Sequence, residues 1–265
     1  MIEPSDRWDG GEEYEAYVGR WSRRVAELFL AWLALPSGRA WVDVGCGTGA
    51  LTSAIVSLAD PASVLAIDRS RELVENARHR LDDPRVTFAL GDAAALPLAD
   101  EHADAVVSGL VLNFLPDPLA ALRELRRVAR PGGVVAVYVW DYAEGMQPIR
   151  AFWDAAMELD PSAAALDEAV RFPRCDPRSL ERQLGAAGMT DVSTRSIEIE
   201  TRFRDFDDFW APFLRGVGPA PGYCAALSDD RREALRALLR QRLCPSGTDP
   251  IVLQARAFAA RGSAP

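Results

Sequence analysis

The sequence has 265 residues, of which 49% are hydrophobic and 26% charged, and its formal net charge is −9. This length and apolar content suit one large domain with a substantial core, and they argue against disorder over most of the chain. The acidic balance, with no run of positive residues longer than two, argues against a nucleic-acid-binding surface.

The cysteines and the amino-terminal residues bear on the cellular compartment. The four cysteines are widely scattered, and no pair has the C-x-x-C spacing of a zinc or redox site. The first ten residues lack the basic and apolar regions of a signal peptide, and no apolar stretch approaches the ~20 residues that span a bilayer. We therefore expect a cytoplasmic protein that binds no metal and no membrane.

An amino-terminal arm, residues 1–36, is predicted to be helical. Residues 12–35 have an amphipathic pattern that places Tyr14, Tyr17 and Trp21 on one side. Tyr17, Arg20 and Trp21 either close over a ligand or only dock the arm on the rest of the protein.

Residues 37–141 alternate short apolar runs with amphipathic ones, which is the pattern of βαβ units on a parallel sheet. Most of the apolar runs are continuous, as expected for strands buried on both faces. The predicted strands are 40–44, 63–67, 86–90, 103–108 and 134–140. One predicted helix covers 51–58, a second begins near Ser70, and a third begins at Asp117-Pro118 and stops at Pro131-Gly132-Gly133.

Residues 142–265 are predicted to be cap helices and closing strands of the same domain. The predicted helices are 141–172, 176–187 and 229–243, and the predicted strands are 192–203 and 251–259. Between them, Phe206, Phe209, Trp210 and Phe213 follow the i, i+3, i+4, i+7 spacing of one helix face. Such a stripe favours ordinary lid packing, and an apolar chamber for a small acceptor is the alternative.

The turn after the first strand, Asp43-Val44-Gly45-Cys46-Gly47-Thr48-Gly49, is a candidate cofactor site. Its glycines let the backbone approach a ligand closely, and the loop leads directly into a helix N-terminus. The spacing differs from the G-x-G-x-x-G of dinucleotide sites, whose third glycine would fall at Ala50. The Asp43 carboxylate would repel a pyrophosphate but suits an ammonium or sulfonium group. The loop therefore favours a cationic cofactor.

Acidic residues also follow the next two strands. Asp68, with Arg69 after it, lies about 20 residues beyond the loop, where an acid can accept hydrogen bonds from both ribose hydroxyls. Asp68 could also cap the helix near Ser70. Asp92 can accept a hydrogen bond from the exocyclic amine of a purine, with the backbone N–H of Ala93 facing a ring nitrogen. A Gly-Asp pair is equally typical of a plain turn.

These motifs, with Pro131-Gly132-Gly133, resemble the series found in class I S-adenosylmethionine-dependent methyltransferases of the ubiquinone/menaquinone-biosynthesis type (type 11 methyltransferase domain). The resemblance implies an α/β fold with a Rossmann-like, doubly wound, seven-stranded sheet of order 3-2-1-4-5-7-6. It also implies an antiparallel last strand, a helical arm and helical cap insertions. In that family the methionyl part of the cofactor would be held by Asp43, Gly45, Cys46, Gly47 and Gly49, the ribose by Asp68, and the adenine by Asp92 with Ala93.

Two further segments are candidates for the transfer step. Residues 108–114 lack the N-P-P-F/Y-type motif of adenine- and glutamine-directed amino-methyltransferases, and Leu110 and Asn113 are expected to face the cofactor or the acceptor. Asp141 and Tyr142, at the end of strand five, are candidates for a general base if the acceptor is a hydroxyl or a thiol. A helix cap or a loop hydrogen bond is their alternative role.

The sequence thus predicts a methyltransferase that uses S-adenosylmethionine and releases S-adenosylhomocysteine. Its expected partner is a small, partly apolar acceptor, methylated by direct displacement, because the field of an acidic chain suits a neutral or cationic molecule better than nucleic acid. Tyr17 and Trp21 are predicted to contact the cofactor. Two alternatives stay open: a regulatory protein that binds S-adenosylmethionine without chemistry and, less favoured, a nicotinamide-dependent oxidoreductase.

Overall fold

The computed structural model describes residues 15–216, 218–246 and 250–265. Its strands form one seven-stranded sheet of order β3-β2-β1-β4-β5-β7-β6, which confirms the predicted topology. Predicted arm residues 12–14, Tyr14 included, lie outside the described residues. The strands are β1 Ala40–Val44, β2 Ser63–Asp68, β3 Val86–Leu90, β4 Ala103–Gly109, β5 Ala129–Trp140, β6 Thr190–Phe203 and β7 Ile251–Ser263.

Strands β1 to β5 are parallel, and their register brings the functional loops to one edge of the sheet. Val44 at the end of β1 pairs with Ile67, and Asp68 at the end of β2 pairs with Leu90 at the end of β3. The carboxyl ends of these strands therefore lie level with one another. In an open α/β sheet this is the edge at which ligands bind.

The helices begin where the sequence places capping residues. Ser70 accepts a hydrogen bond from the Leu73 backbone N–H at 3.4 Å, and Asp117 accepts one from Ala120 at 2.9 Å. The α-helices of the described residues are α1 Arg20–Leu33, α2 Ala50–Leu58, α3 Arg71–Arg80, α4 Pro118–Val128, α5 Gln147–Leu159, α6 Glu168–Arg171, α7 Pro177–Ala186, α8 Phe206–Trp210, α9 Pro219–Ala226 and α10 Asp229–Leu243. A π-helical turn, Glu15–Gly19, precedes α1.

The predicted end of the third helix at Pro131-Gly132-Gly133 is wrong, because these residues belong to β5. Helix α4 already ends at Val128, and the chain continues directly as a strand. Gly132 donates a backbone hydrogen bond to Ala264 at 2.8 Å, and Asp141 donates one to Arg256 at 2.9 Å. As the residue numbers rise along β5, the numbers of the β7 residues that pair with them fall, so β7 runs antiparallel to β5. Within the strand, Gly132 has a φ of +73°, and the pairing of β5 with β4 shifts register between Ala129 and Val134, so the Pro-Gly-Gly segment is an irregularity of β5.

The predicted helix over residues 141–172 is interrupted in the structure. Helix α5 ends at Leu159, and a 3₁₀ helix, Pro161–Leu166, separates it from α6. Asp160 precedes a proline, which disfavours helical geometry at the preceding residue, and its carboxylate accepts a hydrogen bond from the Ser162 N–H at 3.0 Å. The break is therefore a local effect of the Asp-Pro-Ser sequence.

Contacts within the described chain divide it into two compact units. The core unit comprises Ser22–Val139, Arg174–Ile197 and Ala257–Pro265, and the cap unit comprises residues 15–21, Trp140–Pro173 and Glu198–Arg256. The core unit buries the parallel strands and the helices beside them, including Val42, Val106 and Leu122, each with 0% exposure. In the described residues no helix is long and apolar enough to cross a membrane.

Candidate functional site

The glycine loop lies in the core unit and is fastened to the end of β2. The backbone N–H groups of Gly45 and Cys46 both donate to the Ile67 carbonyl, at 2.7 and 3.0 Å. A Cβ at Gly45 would lie 2.5 Å from a methyl carbon of Val111, so this position leaves no room for a side chain. Gly47 has a φ of +53°, and a Cβ there would meet no atom within 4 Å. The loop is thus packed on one side and open on the other.

Asp43, at the end of β1, is a buried acid with one unsatisfied oxygen. Its Oδ2 accepts a hydrogen bond from the Thr52 hydroxyl at 2.6 Å, whereas its Oδ1 is buried without a partner among the described residues. Burial, opposed in part by the Thr52 hydrogen bond and reinforced by nearby Asp68, raises the pKa of Asp43 to about 7. An ionised carboxylate here calls for a positive group at Oδ1.

Asp68 accepts backbone hydrogen bonds from the start of the following helix and from the glycine loop. Its Oδ1 accepts a hydrogen bond from the Ser70 N–H at 2.9 Å, which organises the start of α3. Its Oδ2 accepts one from the Gly47 N–H, also at 2.9 Å, which ties it to the open side of the glycine loop. The helix cap itself is Ser70. The Asp68 carboxylate therefore lies at the loop, as a ribose ligand would require.

The remaining predicted core-unit residues are more exposed. Asp92 is exposed, and its Oδ1 accepts a hydrogen bond from the Ala94 N–H at 2.9 Å, which leaves Oδ2 accessible to a ligand. Ala93, beside it, is partly buried, and Arg69 is exposed. Asp92 follows β3 at the same edge of the sheet as Asp43 and Asp68.

The segment after β4 is strained and contains an unsatisfied amide. Leu110 has a φ of +62°, a conformation that is costly for a bulky side chain. Val111 packs against Gly45, which brings this segment to the glycine loop. Both polar atoms of the Asn113 amide are buried and without a hydrogen-bond partner in the described part of the chain. Such a group at a ligand-binding edge is suited to hydrogen bonding with a bound molecule.

Asp141 and Tyr142 lie in the cap unit, and Asp141 is engaged in structural contacts. Its Oδ2 accepts hydrogen bonds from Arg256, with Nε at 2.7 Å and Nη2 at 2.6 Å, and its Oδ1 accepts one from the Glu144 N–H at 3.2 Å. The Tyr142 ring packs against Phe172 at 5.5 Å between centroids. These contacts favour the loop-stabilising role of Asp141 over that of a base.

Tyr17 and Trp21 also lie in the cap unit. The Tyr17 ring packs edge-on against Phe213 at 5.5 Å, and Trp21 packs edge-on against Phe203 at the same distance. The predicted aromatic stripe is packed together as well: Phe209 lies 5.3 Å from Phe213, which stacks on Phe152 at 4.5 Å. Ring-on-ring packing therefore accounts for most of the stripe. A narrow apolar cleft remains, lined by Tyr17, Trp21, Ile149, Phe203, Phe209 and Phe213.

Three buried residues of the core unit were not predicted as part of the site. Thr52 holds Asp43, the Ser108 hydroxyl donates to the Val44 carbonyl at 2.7 Å, and the Tyr138 ring fills the space beside Gly109. A hydroxyl in the first turn after a glycine loop, and a tyrosine in an otherwise aliphatic strand, are the signals that could have indicated them. Among the described residues, no cluster of histidine, cysteine and acidic side chains could hold a metal ion.

Comparison with known proteins identifies the family. A methyltransferase-domain family model matches residues 42–137. The chain is 33% identical over 184 residues to demethylmenaquinone methyltransferase of Roseiflexus sp. (strain RS-1), an alignment that covers 63% of this chain and 75% of that protein. It is 35% identical over 155 residues to trans-aconitate 2-methyltransferase of Methylobacterium radiotolerans, covering 58% of this chain and 57% of that protein.

A solved structure supports the fold. Phosphoethanolamine N-methyltransferase 2 of Haemonchus contortus, in complex with phosphomonomethylethanolamine and S-adenosylhomocysteine, superposes with a TM-score of 0.59 at 18% identity. The match covers 96% of this chain and 57% of that one. The chain spans between 36% and 75% of the lengths of the first three curated relatives that it matches.

The protein therefore belongs to the class I S-adenosylmethionine-dependent methyltransferases, of the ubiquinone/menaquinone-biosynthesis type. The cofactor of this class fits the residues that are present. The unsatisfied Oδ1 of Asp43 is a buried anionic acceptor suited to an ammonium group, and the open side of Gly47 leaves the backbone accessible. The Asp68 carboxylate beside that loop can accept hydrogen bonds from hydroxyl groups.

Proposed function

We propose that the protein transfers a methyl group from S-adenosylmethionine to a small, partly apolar molecule by direct displacement. The observation that carries this proposal is the buried Asp43 carboxylate, whose Oδ1 lacks a partner among the described residues beside an open glycine loop. When bound, the cofactor supplies an activated methyl group on a positively charged sulfur. The protein then has to bind and orient the cofactor and the acceptor, and it has to exclude water.

We assign these tasks to the predicted residues. Asp43, Gly45, Cys46, Gly47 and Gly49 hold the amino-acid end of the cofactor, Asp68 with neighbouring Arg69 holds the ribose end, and Asp92 with Ala93 holds the base. Leu110 and Asn113 face the transferring group, while Tyr17 and Trp21 contribute from the cap unit. Alignment of this kind can supply about 7–11 kcal/mol of a reaction barrier, so a dedicated base is not required.

The names of the relatives support a small-molecule acceptor. Demethylmenaquinone and trans-aconitate, the substrates in those names, are both small molecules. An acidic chain of net charge −9 is poorly suited to nucleic acid. Cys46 and Cys224 are buried free thiols, and no C-x-x-C pair occurs in the sequence, which supports a reducing compartment; we propose that the protein is cytoplasmic.

Calorimetric titration with S-adenosylhomocysteine tests the cofactor site. We expect wild-type binding in the micromolar range, and Asp68→Ala should weaken it about tenfold or more because charge-assisted hydrogen bonds to hydroxyls are lost. Ser70→Ala is the matched control, since it removes the helix cap but keeps the carboxylate. No binding by the wild-type protein at millimolar ligand would contradict the proposal.

Transfer of a radiolabelled methyl group to a metabolite extract separates an enzyme from a binding protein. Label is expected in one or a few small molecules, and less of it should appear at limiting S-adenosylmethionine when Asp43→Asn replaces the wild type. Binding of the cofactor product without any labelled metabolite would instead favour the regulatory alternative.

A further inference from the structure

Arg20 is the first residue of α1. One side of its guanidinium group makes hydrogen bonds to described residues, and the other side makes none. Its Nη1 donates to Oδ1 of Asp208 at 3.1 Å and to Oδ2 at 3.4 Å. Its Nε and Nη2 are shielded from solvent and have no hydrogen-bond partner among the described residues. Buried donors of a charged group are rarely left without acceptors, so this side of the guanidinium group calls for a ligand.

The unsatisfied side has a defined orientation. The guanidinium carbon lies 4.5 Å from the centre of the Trp21 ring and 4.8 Å from the centre of the Phe203 ring. These aromatic contacts and the Asp208 ion pair hold the planar group in place. The Nε and Nη2 atoms present two parallel N–H groups, whose spacing matches the two oxygens of a carboxylate.

The local charge favours an anion, although the whole chain is acidic. Asp208 is shared by Arg20 and by Arg204, whose Nε lies 3.8 Å from Oδ2. Two positive groups and one negative group give this cluster a charge of 2 − 1 = +1. Burial of Asp208 opposes its ionisation, but the Arg204 N–H and the Arg20 charge prevail and lower its pKa. Asp208 therefore stays ionised, and the two arginines leave this three-residue cluster with one positive charge in excess.

Tyr17 supplies a second unsatisfied donor, three residues before Arg20. Its side chain is 6% exposed, and its hydroxyl has no partner among the described residues. Tyr17 lines the narrow apolar cleft together with Trp21 and Phe203, the two rings that hold Arg20. Burial, with a further contribution from Glu168, raises the pKa of Tyr17 well above its usual value, so the hydroxyl remains a neutral donor.

We propose that the Nε–Nη2 side of Arg20, which the Trp21 and Phe203 rings hold in place, binds the carboxylate of a small ligand. This rests on the proposed function, because the carboxylate belongs either to the methyl acceptor or to the amino-acid end of the cofactor. Both sources share the same chemistry at Arg20. The sequence predicts only that Arg20, with Tyr17 and Trp21, closes over a ligand or docks the arm, and it does not assign the guanidinium group to a carboxylate.

Two pairs of probes, each a carboxylate and its neutral counterpart, distinguish the sources. The first pair is S-adenosylhomocysteine and its methyl ester, titrated by calorimetry. The second is phenylacetate and phenylacetamide, titrated by NMR with and without saturating S-adenosylhomocysteine. The variants are Arg20→Lys, which keeps the charge for Asp208 but loses the paired donors, and Arg20→Gln. Arg204→Lys, on the other side of Asp208, is the matched control.

We expect the wild-type protein to prefer the carboxylate by about tenfold in at least one pair, as bidentate charge-assisted binding predicts. Both Arg20 variants should reduce that preference below about threefold, while Arg204→Lys retains it. The probe pair whose carboxylate preference is reduced by the Arg20 variants identifies the source of the carboxylate. Unchanged preferences in both Arg20 variants, or an equal loss in Arg204→Lys, would overturn the proposal. Absence of any wild-type S-adenosylhomocysteine binding would instead count against the proposed function, and phenylacetate alone would still test Arg20.

Discussion

Asp43 is expected to make cofactor binding depend on pH. Its pKa of about 7 means that the carboxyl is mostly protonated at pH 6 and mostly ionised at pH 8. A ligand ammonium group favours the ionised form, so the affinity for S-adenosylhomocysteine should rise about tenfold between pH 6 and pH 8. Calorimetry across this range measures the effect.

Asp43→Asn is the control for this prediction. The variant should bind more weakly at pH 8, and its affinity should not change with pH across the same range. Thr52→Val is a second useful variant, because it removes the hydroxyl that donates to Oδ2 at 2.6 Å and so raises the pKa of Asp43 further. An equally steep pH profile in Asp43→Asn would assign the effect to another group.

Asn113 should contribute to methyl transfer but not to the stability of the fold. Its buried amide has no partner in the described residues, so its removal relieves a desolvation cost rather than breaking a hydrogen bond. We expect Asn113→Ala to leave the melting temperature unchanged or higher, while radiolabelled methyl transfer falls about tenfold or more. S-adenosylhomocysteine affinity should change little. A variant that loses stability but keeps full transfer activity would show that Asn113 is only structural.

At the scale of elements, the glycine loop should respond differently at two of its positions. Gly45→Ala introduces a methyl group 2.5 Å from Val111 in addition to a positive φ of 75°. Gly47→Ala meets no neighbour and has only the strain of a positive φ. We expect a loss of about 1–2 kcal/mol in unfolding free energy for Gly47→Ala and a larger loss for Gly45→Ala. Urea unfolding of the two variants provides the comparison, and equal losses would contradict the packing argument.

The parallel strands and the loops that follow them were predictable because their signals are local. Continuous apolar runs such as β1 and β2 reveal burial on both faces, and glycines and acids mark the turns at their ends. Asp43 and Asp68 could therefore be assigned to one edge of the sheet from the sequence alone. The resemblance to a methyltransferase motif series extended this to the strand order.

The elements that depend on distant partners could not be predicted in the same way. Pro131-Gly132-Gly133 has the local signals of a turn, and Gly132 has a φ of +73°, yet pairing with β7, more than a hundred residues away, includes the segment in a strand. The Asp141–Arg256 ion pair likewise joins residues 115 positions apart, so sequence spacing gives no sign of it. The unsatisfied atoms of Arg20 and Asn113 are properties of packing, which periodicity alone does not reveal.

At the scale of the whole molecule, the net charge of −9 conceals local differences that matter for ligands. In the core unit the acids Asp43, Asp68 and Asp92 lie at or just beyond the carboxyl ends of three adjacent strands, a distribution suited to a cationic ligand. In the cap unit the Arg20–Asp208–Arg204 cluster is net positive. The overall charge therefore describes solubility and non-specific binding, whereas the chemistry of recognition is set within each unit.

The contribution of Glu168, in the cap unit, to the stability of the whole protein should be lost as the pH rises from about 4 to 7. Glu168 is 1% exposed and accepts a hydrogen bond from the Trp153 indole, and burial raises its pKa to about 7. In the unfolded chain its pKa is near ~4.3. Below pH 4 the carboxyl is protonated in both states, and between pH 4 and pH 7 the unfolded chain releases its proton first, so stability is lost over that window.

Glu168→Gln isolates this contribution, because glutamine stays neutral and can still accept the Trp153 hydrogen bond. Asp167, Arg150 and Tyr17 are the other charged or titratable groups that interact with Glu168, and the variant leaves them in place. The stability of the wild type relative to the variant should fall by up to about 3 kcal/mol between pH 4.5 and pH 7.5. Urea unfolding at several pH values gives this difference, and Glu72→Gln on the surface serves as the control. A difference that does not vary with pH would mean that Glu168 is already ionised within the fold at acidic pH, and its indole contact would then have to stabilise a buried carboxylate.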